Sequence, residues 1–193
     1  VNLIPRLQAL GNKVDLCVFD GTETPLTKRL KSESSDTKIY ALGSGVYNPL
    51  YILKLVKIMK NYDIVHTHNS SPQLFVAIAN IFSSRKLVST EHTTSNRKRE
   101  WKWYAPIESW MYGQYNHVIC ISQIAENKLR EYMGGDWLDK TNPKYNQIST
   151  INNGVDVKAI SDATPDGELL SLKKGRKAIL MVAGFRDAKD QDT

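Results

Sequence analysis

Cysteine is scarce: the 193 residues hold two, Cys17 and Cys120. Each lies inside an apolar run (14–19 and 118–121), where a thiol behaves as a small buried hydrophobe. No Cys-x-x-Cys or other metal-ligand spacing exists, so a cysteine metal site is not expected. Long hydrophobic stretches are missing too. The longest uncharged apolar runs, such as 74–82, fall well short of the roughly 20 residues that a membrane-crossing helix needs. There is no Gly-x-x-x-x-Gly-Lys phosphate loop, helix-turn-helix, RNA-binding aromatic signature or Cys/His finger, so nucleic acid is the disfavoured partner. No secretory signal precedes the first helix, and the expected compartment is a reducing cytoplasm.

What is present is an ordinary globular composition with a basic tilt. Apolar residues make up 41% and charged residues 24%, which argues against disorder, collagen and coiled coil. Lys and Arg total 26 against 20 Asp and Glu, a net charge of +6. A partner bearing negative charge follows: a nucleotide, an anionic membrane surface or a nucleic acid.

The punctuation predicts alternating strands and helices. Leu3, Leu7 and Leu10 recur at helical spacing before Gly11, and 14–19 reads as a buried strand. Thr24-Pro25 caps a short helix to about residue 30, and 38–42 is the next strand. Asn48-Pro49 opens a helix with Ile52, Val56 and Met59 on one face and Lys54, Lys57 and Lys60 turned away. Strand 63–66 follows, then a helix opened by Ser71-Pro72 that is apolar almost all round. After strand 86–90 comes an aromatic-rich helix from about 99 to 115, then strand 117–121. Ser122 caps a helix that stops at Gly134-Gly135. Short apolar strands separated by helices of ten or more residues describe a doubly wound α/β domain with a parallel sheet.

From 152 to 177 the chain is polar and rich in Gly, Pro and Asp, which reads as a linker, and 178–183 begins another strand. The expected organisation is an N-terminal domain over 1–156 lacking its first strand, a linker over 157–177, and the start of a second domain over 178–193. The chain thus reads as truncated at both ends.

In open parallel sheets, ligands bind beyond the carboxyl ends of the strands. There the sequence places His66-Thr67-His68-Asn69-Ser70-Ser71, Ser89-Thr90-Glu91-His92-Thr93-Thr94, Ser122, and Asn152-Asn153-Gly154. Each histidine alone reads as a structural side chain. Together at one rim, His66, His68 and His92 suit general-base work or a hydrogen bond to sugar or phosphate. A zinc site of the three lacks a carboxylate at ligand spacing, so no metal is expected. The run Arg97-Lys98-Arg99-Glu100-Trp101-Lys102-Trp103-Tyr104 interleaves four cations with three aromatics. It reads either as a helix face whose aromatics pack inward or as an anchor on an anionic membrane.

Six segments in order resemble the acceptor-side domain of family-4 glycosyltransferases of the GT-B fold, of the kind that builds bacterial surface polysaccharides. They are 2–7 with Gly11-Asn12-Lys13-Val14, then Tyr62-Asp63-Ile64-Val65-His66-Thr67-His68, Ser89-Thr90-Glu91-His92, Val118-Ile119-Cys120-Ile121-Ser122, Ile151-Asn152-Asn153-Gly154-Val155-Asp156 and 182–192. Asn152 stands where a proline is common, and Gly184 where many members have arginine. The resemblance implies a Rossmann-like half of a GT-B enzyme that moves a sugar, with retention and without a cofactor or metal, from a nucleotide-sugar donor to a glycan or lipid-linked acceptor. It implies His92 beside the reacting sugar as the catalytic contact, with His66, His68, Glu91 and Thr93 lining the acceptor cleft. Arg186 and Lys189 would hold the donor diphosphate, and Asn153 and Gly154 would form the junction. The chain alone, without the glycine-rich loop and the donor domain, is expected to be inactive. The alternatives are a non-catalytic nucleotide- or glycan-binding module, or a sugar-nucleotide epimerase of the same fold. Peripheral membrane contact would run through Arg97, Lys98, Arg99, Trp101, Lys102 and Trp103.

Overall fold

Side-chain caps set several helix starts. In the computed structural model, which describes residues 2–45, 48–94, 97–101 and 103–177, helix α2 (Pro25–Glu33) opens with a reciprocal capping box. The Thr24 hydroxyl accepts from the Thr27 amide while the Thr27 hydroxyl accepts from the Thr24 amide. Helix α6 (Gln123–Met133) is capped by Ser122, whose Oγ accepts from the Ala125 amide at 3.2 Å. It ends at Gly134, whose φ of 62° a residue with a Cβ adopts only under strain.

The remaining elements of the N-terminal unit, which runs to Asn153, are α1 (Leu3–Ala9), β1 (Leu16–Asp20), β2 (Ile39–Gly43), α3 (Leu50–Met59), β3 (Ile64–His68), α4 (Ser70–Asn80), β4 (Lys86–Glu91), α5 (Ala105–Gly113), β5 (His117–Cys120) and β6 (Ile148–Thr150). All paired strands are parallel and flanked by helices, as the periodicity predicts. They fall into two sheets rather than one: β1-β2, and β3-β4-β5-β6. Among the described residues β1 and β3 each pair on one side only, and apolar Ile64 is left exposed on β3. One core nevertheless spans both sheets. Phe19 of β1 packs on Tyr51 of α3 and edge-on against Phe75 of α4, each 5.8 Å between ring centroids.

Three expectations shift. Helix α4 starts at Ser70, two residues before Pro72, which the Ser71-Pro72 signal makes the first helical residue, because Pro72 is tolerated anywhere in a first turn. The aromatic-rich helix expected over 99–115 is broken. Its start is a single 3-10 turn, Arg97–Glu100, and α5 begins only at Ala105, since Pro106 has no amide to donate and sits in the first turn. The stretch read as a linker carries two short exposed helices, α7 (Val157–Ser161) and α8 (Gly167–Lys173), capped by Asp156 and Asp166. These belong to a second unit that begins at Gly154, so Asn153 and Gly154 straddle the division. The strand expected over 178–183, together with Arg186 and Lys189, lies outside the described residues.

Candidate functional site

Parallel register brings the expected residues to one edge. His68 of β3 stands opposite Thr90 of β4, Glu91 opposite Cys120 of β5, and Cys120 opposite Thr150 of β6. The side chains of His66 and His68, two apart on an edge strand, share one face. His66 Nε2 lies 2.8 Å from Thr90 Oγ1, and its ring stacks on that of His68 with centroids 4.4 Å apart. His68 Nδ1 lies 2.9 Å from His92 Nε2, so a single proton bridges the two rings. The three histidines thus form a chain across the ends of β3 and β4, not a ring around one point. Among the described residues no group of three or more His, Cys, Asp or Glu side chains could hold a metal ion.

Desolvation, and then the neighbouring rings of His68 and His92, push the His66 imidazole down to about 4. Desolvation and His92 lower His68 as well. Both are therefore neutral near pH 7, each offering one N–H donor and one nitrogen acceptor. That pairing matches an uncharged hydroxyl better than a phosphate. Thr93 is exposed in the loop beside His92.

Directly after His68 the chain turns sharply. Asn69 adopts φ 75° and ψ 154°, a region of strain for any residue other than glycine. The turn starts α4 at the carboxyl end of β3 with no side-chain cap on its first amides.

Beneath the rim lies a polar network. Glu91 does not face the cleft alone: its Oε1 accepts from Tyr112 Oη and from Gln73 Nε2, the latter at 2.8 Å. Fully buried Gln73 also donates to Ser89, and Tyr115 Oη donates to its carbonyl at 3.0 Å. Arg99 reaches inward, with Nη2 donating to Tyr112 Oη at 3.0 Å and Nε to Glu108 Oε1 at 3.2 Å. Burial, and then the Glu91 charge, hold the Tyr112 phenol well above its ordinary range, so it stays a donor. Gln73, Tyr112 and Glu108 were not legible as site-supporting residues. The one available signal was a glutamine next to the apolar run 74–79 of α4.

Comparison with known families identifies one. The family model for Glycosyltransferase Family 4 matches residues 1–159. The fold is similar to that of Anabaena Alr3699/HepE, crystallised in complex with UDP-glucose, with a TM-score of 0.65 at 15% identity over 90% of this chain and 44% of that one. It is also similar to a glycosyltransferase from Rickettsia africae, with a TM-score of 0.56 at 22% identity over 90% of this chain and 43% of that one. The chain therefore spans less than half the length of these solved structures. No curated protein matches significantly.

Proposed function

The chain belongs to glycosyltransferase family 4, and from that footing we propose that the protein containing it transfers a sugar, with retention of configuration, from a nucleotide-sugar donor to a hydroxyl of a glycan or lipid-linked acceptor in surface polysaccharide synthesis. The observation that carries the reading is the His68–His92 pair at the ends of β3 and β4. Two imidazoles hydrogen-bonded to each other leave one nitrogen on each ring free to meet a sugar hydroxyl. The UDP-glucose complex of the Anabaena protein supports a nucleotide-sugar donor.

In this reading His92 contacts the reacting sugar, while His66, His68 and Thr93 line the acceptor side. Glu91 acts as a positioning residue, fastened by Gln73 and Tyr112 so that the loop carrying His92 leaves β4 at a fixed angle. Lys189 and Arg186 neutralise the leaving diphosphate, work that fixed cations do without a metal. In this reading the chain, which spans less than half the length of the solved structures it is similar to, does not turn over by itself. The protein works in the cytoplasm.

The test is transfer by the full-length protein. Nucleotide release on mixing with a panel of nucleotide sugars and glycan acceptors is expected, with the anomeric configuration of the product read by NMR. His92→Ala should lower kcat by about 100-fold or more with an unchanged melting temperature. Nucleotide binding without transfer to any acceptor would favour the non-catalytic module instead.

A further inference from the structure

We propose that the outer face of α5 and the turn before it, built from Trp101, Trp103, Ile107 and Trp110, docks the N-terminal unit on a bilayer surface carrying anionic headgroups. The inward face of α5 is committed to the core through Glu108, Met111 and Tyr112. That leaves Ile107 38% and Trp110 40% exposed, three residues apart on the opposite side of the helix. Trp101 and Trp103, from the turn before the helix, are 45% and 65% exposed. Their rings lie parallel, 5.6 Å apart at 12°, and Trp103 meets Tyr104 edge-on at 5.7 Å. An indole presents a large apolar surface with one N–H, a combination that settles at the boundary between headgroups and acyl chains. Three indoles and an isoleucine turned to water form the kind of patch that marks an interaction surface.

The segment is held in place. Arg99 turns inward to Glu108 and Tyr112, so it pins the turn to the core and is not itself a lipid contact. This pair also decides the charge of the surface. Residues 97–110 contain Arg97, Lys98, Arg99 and Lys102 against Glu100 and Glu108. With Arg99 and Glu108 paired inside, the sequence of this segment leaves Arg97, Lys98 and Lys102 against Glu100 alone. Lys98 Nζ lies 5.6 Å over the Tyr104 ring, which keeps a cation at the aromatic patch. Apolar anchors beside an excess of cations complement an anionic lipid surface, on a protein already at +6. No helix among the described residues is long and apolar enough to cross a membrane, so the contact is peripheral.

The docking surface does not depend on the transferase reading, and its test involves no sugar chemistry. The 193-residue chain is floated with vesicles of phosphatidylcholine alone and of phosphatidylcholine mixed with phosphatidylglycerol, at about 0.05 M and 0.5 M salt. Expected are retention on the anionic vesicles only, release at high salt, and quenching of tryptophan emission by bromine-labelled lipid. Trp137 is buried and supplies a constant background. Trp101→Ala with Trp103→Ala should weaken binding by roughly tenfold or more with unchanged far-UV circular dichroism. If the double variant misfolds, bromine quenching of the parent chain decides the matter. Equal binding to neutral and anionic vesicles, no quenching, or full binding by a folded double variant would overturn the proposal. So would capture by a neutral oligosaccharide without vesicle binding, which would make the indoles a sugar platform.

Discussion

Replacing Arg99 by methionine removes the cation opposite a carboxylate that has no route to water. The Glu108 side chain is 1% exposed and that of Arg99 12%, with 3.2 Å between Nε and Oε1. At an effective dielectric constant of about 20, a unit pair at this separation attracts by about 5 kcal/mol. Much of that is offset by the desolvation already imposed on both groups, so deletion is better judged from what remains. Arg99→Met strands the Glu108 charge inside α5, and loss of one partner of a buried pair costs about 3–5 kcal/mol. For a unit of about 150 residues this lowers the melting temperature by about 6–20 °C. Arg99→Met combined with Glu108→Leu removes the stranded charge and should recover most of the loss. It should not recover all of it, because Tyr112 loses the Arg99 donor, a contribution of about 1 kcal/mol. The assay is thermal and urea unfolding of the parent, both single variants and the double variant at pH 7, followed by circular dichroism and closed as a double-mutant cycle. A cost below about 1 kcal/mol for Arg99→Met, or a double variant as unstable as the sum of the singles, would refute the claim that the pair is buried and coupled.

Two further outcomes are expected. His66, held at about 4 in the fold against about 6.5 when unfolded, binds its proton more readily in the unfolded chain. Stability should therefore fall as pH drops from about 6.5 to 4, and His66→Gln should flatten that slope; parallel slopes for both proteins would remove the argument. Arg130 donates to Glu126 Oε1 at 2.9 Å, to the Trp137 carbonyl at 2.9 Å and to the Ile148 carbonyl at 2.8 Å, tying α6 to the start of β6. Arg130→Met should cost about 3–5 kcal/mol, and Arg130→Lys should restore only part of it, because an ammonium cannot reproduce the planar fork; full rescue by lysine in a melting experiment would contradict this.

The alternation of strands and helices is written along the chain. Its signals are local: Thr24-Pro25 and Ser122 cap their own helices, Gly134 ends one, and short apolar runs set between helical segments mark the strands. It also placed His66, His68 and His92 at one rim, because parallel strands carry their carboxyl ends to the same edge. The two helices within 154–173 were locally written as well, in Asp156 and Asp166 before short helical runs, but the Gly and Pro around them outweighed the caps. Which way the charged side chains face depends on how the elements pack. Arg99 stands in a basic run that reads as surface, yet it turns inward because Glu108, nine residues on, is carried by the buried face of α5. Glu91 is claimed by Tyr112 and Gln73, residues 21 and 18 positions away in the chain. Burial of a charge depends on the partner that compensates it, and such partners meet only when separate elements pack, so no periodicity along the chain records the encounter.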